Sequence, residues 1–142
     1  MPSPDSPLQG TCLCGAVRVQ VSGSFETAGY CHCKRCQRRT GTPSTLGAKV
    51  AAESFEILTG HDSIRTWRPD GGHPKSFCLH CGTALFSGDP DAAGTAVGVR
   101  LGMLDGDPGI RPEWRQWVSS APGWDPIPDD GLPRFSGSRQ SG

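Results

Sequence analysis

The seven cysteines of this chain fall into three short clusters, and closely spaced cysteines are typical metal ligands. The clusters are Cys12 with Cys14, Cys31 with Cys33 and Cys36, and Cys78 with Cys81. Thiols one or two residues apart do not readily form a disulfide with each other, but they can converge on one metal ion. Glycine follows the first and last clusters, at Gly15 and Gly82, and can adopt the positive φ of a tight knuckle. The spacing therefore indicates zinc.

The seven thiols divide naturally into a group of four and a group of three. Four thiolates close a tetrahedral zinc site and leave no position for a substrate, so the first and last clusters should form a structural site. The middle cluster has the ligand number of a catalytic zinc that keeps one position for water or substrate. We therefore predict two zinc ions per chain. Their ligands are Cys12, Cys14, Cys78 and Cys81 for the structural zinc, and Cys31, Cys33 and Cys36 for the catalytic zinc.

Other interpretations of the cysteines are open at this point. Disulfides are disfavoured by the odd number of cysteines and by their short spacings. An iron–sulfur cluster could occupy the middle group, because its ligands are also closely spaced cysteines, although the usual fourth cysteine before a proline is missing. A histidine could also close the middle group as a structural site. In an extended segment the imidazole of His32 should point away from the flanking thiols, which leaves His61, His73 and His80.

Length and charge limit the class of protein. The chain of 142 residues is long enough for one domain with a modest core. Fourteen basic residues balance fourteen acidic ones, so the chain lacks the strong positive field of a nucleic-acid-coating protein. No apolar run approaches the ~20 residues that span a bilayer, and the first residues do not resemble a signal peptide. We expect a cytoplasmic protein with reduced thiols and no membrane partner, and the charge balance disfavours a nucleic-acid partner.

The segments between the clusters have the patterns of short β-strands. Apolar residues alternate with polar or small ones in three segments, as in half-buried strands, and three more segments are short β-prone runs. The alternating segments are 17–21, 46–50 and 97–101, and the β-prone runs are 55–58, 64–67 and 75–77. The patterns predict a mainly β fold of short antiparallel strands.

Helix is expected only after the middle cluster. Residues 34–40 can form about two turns before Gly41 and Pro43 end them. Both ends of the chain are rich in Pro, Ser or Gly and should pack poorly. The sequence thus predicts a domain over residues 10–135, with flexible tails at 1–9 and 136–142.

Four motifs together resemble a known family. They are C-x-C-G at 12–15, C-H-C-x-x-C-Q-R-R-x-G at 31–41, F-C-x-x-C-G-T at 77–83 and D-D-G-L-P-R-F at 129–135. On these motifs the chain is identified as a member of the glutathione-dependent formaldehyde-activating enzyme family, which has a centromere protein V-like zinc domain. The resemblance implies a β-tent fold stapled by zinc. It also implies that the middle cysteine group faces the thiol of a substrate such as glutathione.

The predicted activity follows from the open zinc and the resemblance together. A thiol close to a metal cation loses its proton and becomes a nucleophile. We therefore predict a zinc-dependent carbon–sulfur lyase, similar to S-(hydroxymethyl)glutathione synthase, that acts on the adduct of glutathione or a similar thiol with an aldehyde. Arg38 and Arg39 are candidate substrate-binding residues for the carboxylates of that thiol.

The alternative is a non-catalytic zinc module that binds protein or nucleic acid through the basic residues of segment 34–39. Neutral overall charge and the lack of aromatic residues between the basic ones count against nucleic acid. One position departs from the family pattern. Many members have a histidine two residues before the tryptophan that corresponds to Trp117, and this chain has Arg115 there. A role of that histidine in proton transfer therefore cannot be carried over.

Overall fold

The computed structural model describes residues 1–92 and 94–139, and these residues form ten strands and one α-helix. The strands are β1 (Leu8–Thr11), β2 (Arg18–Val21), β3 (Thr27–Cys31), β4 (Thr45–Val50), β5 (Phe55–Thr59), β6 (Ile64–Trp67), β7 (Lys75–Cys78), β8 (Ala84–Ser87), β9 (Val97–Arg100) and β10 (Arg115–Gln116). The helix is α1 (Lys34–Thr40). The prediction of a mainly β fold is confirmed. All six predicted strand segments contain a strand.

The strands belong to two sheets. The smaller sheet has the order β1-β2-β5, and the larger has the order β10-β3-β4-β9-β8-β7-β6. Neighbouring strands are antiparallel except β10 and β3, which are parallel with Arg115 opposite Tyr30. The first cysteine cluster lies in the connection between β1 and β2, and the last cluster lies at the turn between β7 and β8. The first and last clusters are therefore each held by an antiparallel hairpin.

The hydrophobic core is built from both sheets. On β2 the apolar and polar residues that alternate in the sequence face opposite sides of the sheet, because Val19 and Val21 are fully buried while Arg18 is exposed. The rings of Phe55 on β5 and Phe86 on β8 meet edge to face with centroids 4.9 Å apart. Burial of each such side chain stabilises the fold by about 1.5–3 kcal/mol.

Helix α1 has the predicted bounds. The Sγ of Cys33 accepts a hydrogen bond from the Cys36 amide at 3.4 Å and caps the first turn. Gly41 ends the helix with φ 70°, and its amide donates to the Gln37 carbonyl at 2.7 Å. The buried Gln37 side chain in turn donates to the His32 carbonyl at 2.8 Å, which ties the helix to the loop before it.

No helix in the described part of the chain has the length and apolar character to cross a membrane.

The two ends of the chain make backbone contacts. Strand β1 begins at Leu8, two residues before the predicted domain boundary, and Leu8 pairs with Val21 of β2. Near the other end, the Trp117 amide donates to the Gly137 carbonyl at 3.0 Å. The remainder of the predicted carboxy-terminal tail, residues 140–142, lies outside the described residues.

Candidate metal centres

Two hairpins bring four cysteine thiols together. Cys12 and Cys14 meet Cys78 and Cys81, and the four Sγ atoms lie within 4.8 Å of one another. The Sγ of Cys14 is 3.6 Å from that of Cys12 and 3.7 Å from that of Cys78. A tetrahedral zinc with Zn–S bonds of about 2.3 Å separates its sulfurs by about 3.8 Å. The four thiols therefore fit the coordination of one zinc ion.

Local hydrogen bonds shape both knuckles of this four-thiol group. Gly15 and Gly82 have φ values of 83° and 77°, and their amides donate to the carbonyl of the first cysteine in each cluster at 3.0 and 2.8 Å. The Thr83 hydroxyl accepts from the Leu13 amide at 3.0 Å and so links the two knuckles. The same hydroxyl lies 3.1 Å from the Cys81 Sγ and lowers the pKa of that thiol to about 5. Stabilised thiolates are what a metal site requires.

The three middle cysteines meet where β3 leads into α1, and their Sγ atoms also lie within 4.8 Å of one another. Cys31 ends β3 opposite Thr45 of β4, Cys33 caps α1, and Cys36 lies in its first turn. Cys36 is buried, whereas Cys31 and Cys33 are half-buried, so a ligand can approach the group from solvent. Among the described residues, no fourth cysteine, histidine or carboxylate joins this three-thiol group. It therefore fits a metal ion that keeps one position for a further ligand.

The thiols of this group are electrostatically unequal. Hydrogen bonding from Cys31 lowers the pKa of Cys36 to about 4, and the Thr45 hydroxyl adds to the effect. The same contact with Cys36 raises the pKa of Cys31. Cys36 is thus the first thiol to ionise. A bound cation would lower the pKa values of the others as well.

None of the histidines contributes a ligand atom to the three-thiol group. As expected from its position in the chain, buried His32 is turned away, and its Nε2 lies 3.2 Å from Nη1 of Arg115. A guanidinium only donates, so Nε2 accepts and the proton of the neutral imidazole lies on Nδ1. Burial, reinforced by Arg115, lowers the pKa of His32. His61, His73 and His80 also lie outside the group.

Arg115 organises the polar contacts behind the three-thiol group, and the sequence alone did not indicate this role. Its guanidinium carbon lies 4.0 Å from the ring centroid of Tyr30, and its Nε and Nη2 donate to Asp130 at 3.0 and 2.8 Å. Arg115 is therefore a structural cation in this chain. Asp130, for which the sequence showed no partner, is its counter-ion.

The two predicted substrate-binding residues differ in exposure. Arg38 is exposed, whereas Arg39 is half-buried and its Nη2 has no hydrogen-bond partner among the described residues. Arg39 lies close enough to Lys75 and Arg100 to affect their pKa values. Sequence reasoning missed Lys75 and Arg100. The sequence offered one signal for them, because both are charged residues within segments that were predicted to be strands.

The fold and the two thiol groups define a class of small, mainly β proteins with cysteine sites suited to metal ions. A family model described as glutathione-dependent formaldehyde-activating enzyme matches residues 7–120, and the chain belongs to this family. The family membership predicted from the four motifs is confirmed.

The chain is also similar to a Rhodobacter sphaeroides protein with a crystal structure from structural genomics. The identity is 22%, the TM-score is 0.58, and the match covers 89% of this chain and 98% of that chain, which bears on the fold alone. No curated protein matches the sequence.

Proposed function

We propose that the protein is a zinc-dependent carbon–sulfur lyase, similar to S-(hydroxymethyl)glutathione synthase. Its substrate would be the adduct of formaldehyde with glutathione or a similar thiol. The proposal rests chiefly on the half-exposed three-thiol group, which gathers three potential ligands and lacks a fourth among the described residues. The four-thiol group is assigned to a second, structural zinc. Family membership supports glutathione and formaldehyde as the substrate chemistry.

The chemistry would take place at sulfur. Zinc held by Cys31, Cys33 and Cys36 would lower the pKa of a nearby substrate thiol and so supply a thiolate. In the direction of adduct formation, the substrate sulfur adds to the aldehyde carbon. The carbon–sulfur bond forms, the carbonyl π bond breaks, and the oxygen takes up the proton that the thiol released. Lysis is the reverse. Three protein thiolates keep their group anionic, which favours this reaction over hydrolysis by an activated water.

The residues around the group prepare it for this task. Pairing of Cys31 with Thr45 fixes the first thiol at the end of β3. The Thr45 hydroxyl also stabilises the Cys36 thiolate. His32 is directed toward Arg115 and away from the thiols, so its ring serves to position the loop between Cys31 and Cys33.

Thiol binding tests the proposal directly. We expect zinc-loaded protein to bind glutathione with an affinity that rises as the pH approaches the lowered thiol pKa, because deprotonation drives ligation. S-methylglutathione keeps both carboxylates but cannot form a thiolate, and it should bind at least about tenfold more weakly, since a tenfold difference requires only ~1.4 kcal/mol. Calorimetry with both ligands measures the difference.

Two results would contradict the proposal. In the first, the protein binds glutathione and its methylated form with equal affinity. In the second, it binds neither ligand in the millimolar range. Either result would favour the non-catalytic zinc module. Its protein or nucleic-acid partner would then contact the exposed basic side chains of α1, Lys34, Arg35 and Arg38.

A further inference from the structure

The reaction at the three-thiol group moves a proton to or from an oxygen, and the titratable side chains of β3 and β10 are not free to carry it. The imidazole of His32 accepts from Arg115 and is turned away from the thiols. Arg115 is held by Asp130 and by the ring of Tyr30, and a guanidinium does not release its proton in proteins. Among the described residues, no carboxylate joins the three thiols. A proton carrier would therefore come from another element.

Lys75 of β7 shares one side of the larger sheet with Arg100 of β9. Residues that lie opposite each other in antiparallel strands project from the same side, and so do residues two apart in one strand. Lys75 lies opposite Ser87 of β8, and Ser87 lies opposite Gly98. Gly98 is two residues before Arg100 on β9, so the side chains of Lys75, Ser87 and Arg100 project from the same side.

The same side of the sheet carries the three-thiol group. Arg100 lies opposite Gly47 of β4. Thr45, two residues before Gly47, lies opposite Cys31 at the end of β3. Gly47 leaves room for the guanidinium, because a Cβ there would be 2.8 Å from Nη1 of Arg100. The side chains of Cys31, Arg100 and Lys75 therefore face the same space above the sheet.

A serine holds the amine of Lys75 without neutralising it. Nζ donates to the Ser87 Oγ at 2.8 Å, and Nη2 of Arg100 donates to the same oxygen. Lys75 is half-buried, and among the described residues no carboxylate forms an ion pair with it. A lysine with a neutral acceptor and a cationic neighbour releases its proton more readily than an ion-paired lysine.

The charges that face Lys75 favour its neutral form. Burial, followed by the positive charge of Arg100, lowers the pKa of Lys75 to about 8. Arg39 of α1 acts in the same direction, whereas the negative charges of Cys36 and Cys31 oppose it. The amine is therefore within electrostatic range of the thiols. Near neutral pH it exists in both protonation states, as a group that takes up and returns a proton requires.

We propose that Lys75 is the proton-transfer residue of the reaction at the three-thiol group. This inference rests on the proposed function, because the proton is that of the thiol–aldehyde adduct. In lysis, the neutral amine takes the proton of the adduct hydroxyl, the carbon–oxygen π bond forms, and the carbon–sulfur bond breaks with its electron pair on sulfur. In adduct formation, the Lys75 ammonium gives the proton to the oxygen. Ser87 and Arg100 are positioning residues, because they act through Lys75.

Replacement of Lys75 tests this role on zinc-loaded protein. Exchange NMR with isotope-labelled formaldehyde and glutathione measures the rate of lysis above the uncatalysed rate. Lys75→Met should lower kcat about 100-fold or more, the range of general acid–base catalysis, and should change the calorimetric affinity for glutathione far less. Lys75→Arg keeps the positive charge but cannot release a proton, so it should not restore kcat. Lys49→Met is the matched control, because Lys49 pairs with Glu26 at 3.6 Å, and it should keep the wild-type rate.

The pH dependence gives a second measurement. A base acts in its neutral form, and an amine is neutral above its pKa, so kcat for lysis should rise with pH and level off above about pH 8. Arg100→Met removes a neighbouring positive charge and should raise the pKa of Lys75, which moves the midpoint to higher pH. The rise should be absent in Lys75→Met. Acetylation of Lys75 by acetic anhydride at a series of pH values, followed by mass spectrometry, measures the same pKa without any assay of activity.

The outcomes separate this proposal from the function on which it rests. A wild type that shows no lysis above the uncatalysed rate overturns both. If the wild type is active and either Lys75→Met or Lys75→Arg keeps a similar kcat, the proton-transfer role is overturned and the lyase proposal stands. An unshifted midpoint in Arg100→Met also overturns the role of Lys75. Melting curves establish that each variant folds. If Lys75→Met does not fold, Lys75→Arg and the acetylation midpoint of the wild type decide.

Discussion

Cys78 is fully buried, whereas Cys33 is half-buried at the start of a short helix, and the two thiols have different structural surroundings. The Sγ of Cys78 lies 3.7 Å from that of Cys14, 64 residues away in the chain. Cys33 instead joins two cysteines that are at most three residues away in the sequence. Loss of a ligand from the four-thiol group would therefore open a long-range link. Loss from the three-thiol group would affect only a loop and one helical turn.

We predict that Cys78→Ser destabilises the protein far more than Cys33→Ser. Metal-binding free energy in a closed site is folding free energy, so Cys78→Ser should cost more than about 4 kcal/mol or abolish folding. Cys33→Ser should keep the fold and lose thiol binding. Thermal melts and glutathione calorimetry on the two variants measure both effects.

Leu79→Ser is the control for this comparison, because Leu79 lies in the same knuckle, is 38% exposed and is not a ligand candidate. Its melting temperature should stay near that of the wild type. If Cys33→Ser were the less stable of the two cysteine variants, the structural and catalytic assignments would have to be exchanged.

At the scale of elements, the two-residue strand β10 links the carboxy-terminal segment to the three-thiol group. On one side the His32 amide donates to the Gln116 carbonyl at 3.0 Å. On the other side the Arg115 amide donates to the Pro133 carbonyl, and the Phe135 amide donates to the Arg115 carbonyl, both at 2.9 Å. This short ladder positions the Arg115 side chain between β3 and the segment that contains its counter-ion.

The Arg115–Asp130 ion pair makes stability depend on pH in a defined direction. The guanidinium holds the pKa of Asp130 below its ordinary value. In the unfolded chain the carboxyl has a pKa of about 3.9. The stabilisation that the ion pair provides is therefore complete above that pH, and it is lost as the pH falls through the lower pKa of Asp130 in the folded protein. We therefore expect the free energy of unfolding to fall more steeply in acid for the wild type than for Asp130→Asn. Urea titrations between about pH 3 and pH 7 measure both slopes.

Asp129→Asn is the matched control, because the Asp129 carboxylate has no ion pair or side-chain hydrogen bond in the part of the chain that the structure describes. It should keep the acid dependence of the wild type. Identical slopes for wild type and Asp130→Asn would show that the ion pair does not stabilise the folded protein in solution.

At the scale of the whole molecule, the four-thiol group joins the two sheets. The hairpin of β1 and β2 belongs to the smaller sheet, and the hairpin of β7 and β8 belongs to the larger one. A metal ion bound by both hairpins would hold the sheets together at the side of a modest core. Such a link matters most in a small domain, where burial alone supplies a limited stability.

We predict two zinc ions per chain in protein purified without added metal, and elemental analysis measures this number. The three-thiol group offers one ligand fewer than the four-thiol group, so a chelator should remove its zinc first. The melting temperature should fall strongly only when the second zinc leaves. Iron with acid-labile sulfide would instead support an iron–sulfur cluster in the three-thiol group. Less than one zinc per chain with all thiols free would reject both metal sites.

The sequence by itself determined the features that depend on neighbours along the chain. The spacing of the cysteines predicted which thiols group together. Helix α1 was predictable because Gly41 ends it, and β2 because its valines alternate with polar residues. By contrast, β3 was not predicted, since Gly29 interrupts its pattern. The structure explains that glycine, because any Cβ there would overlap the ring of Trp114.

Only the tertiary structure decided which side chains surround the three-thiol group. Arg115 reaches Tyr30 through the parallel pairing of β10 with β3, and Asp130 reaches Arg115 through the segment that follows β10. Lys75 and Arg100 meet at one serine because β8 separates their strands in the larger sheet. The order and register of strands depend on contacts between residues that are distant in the sequence, and no local pattern records those contacts.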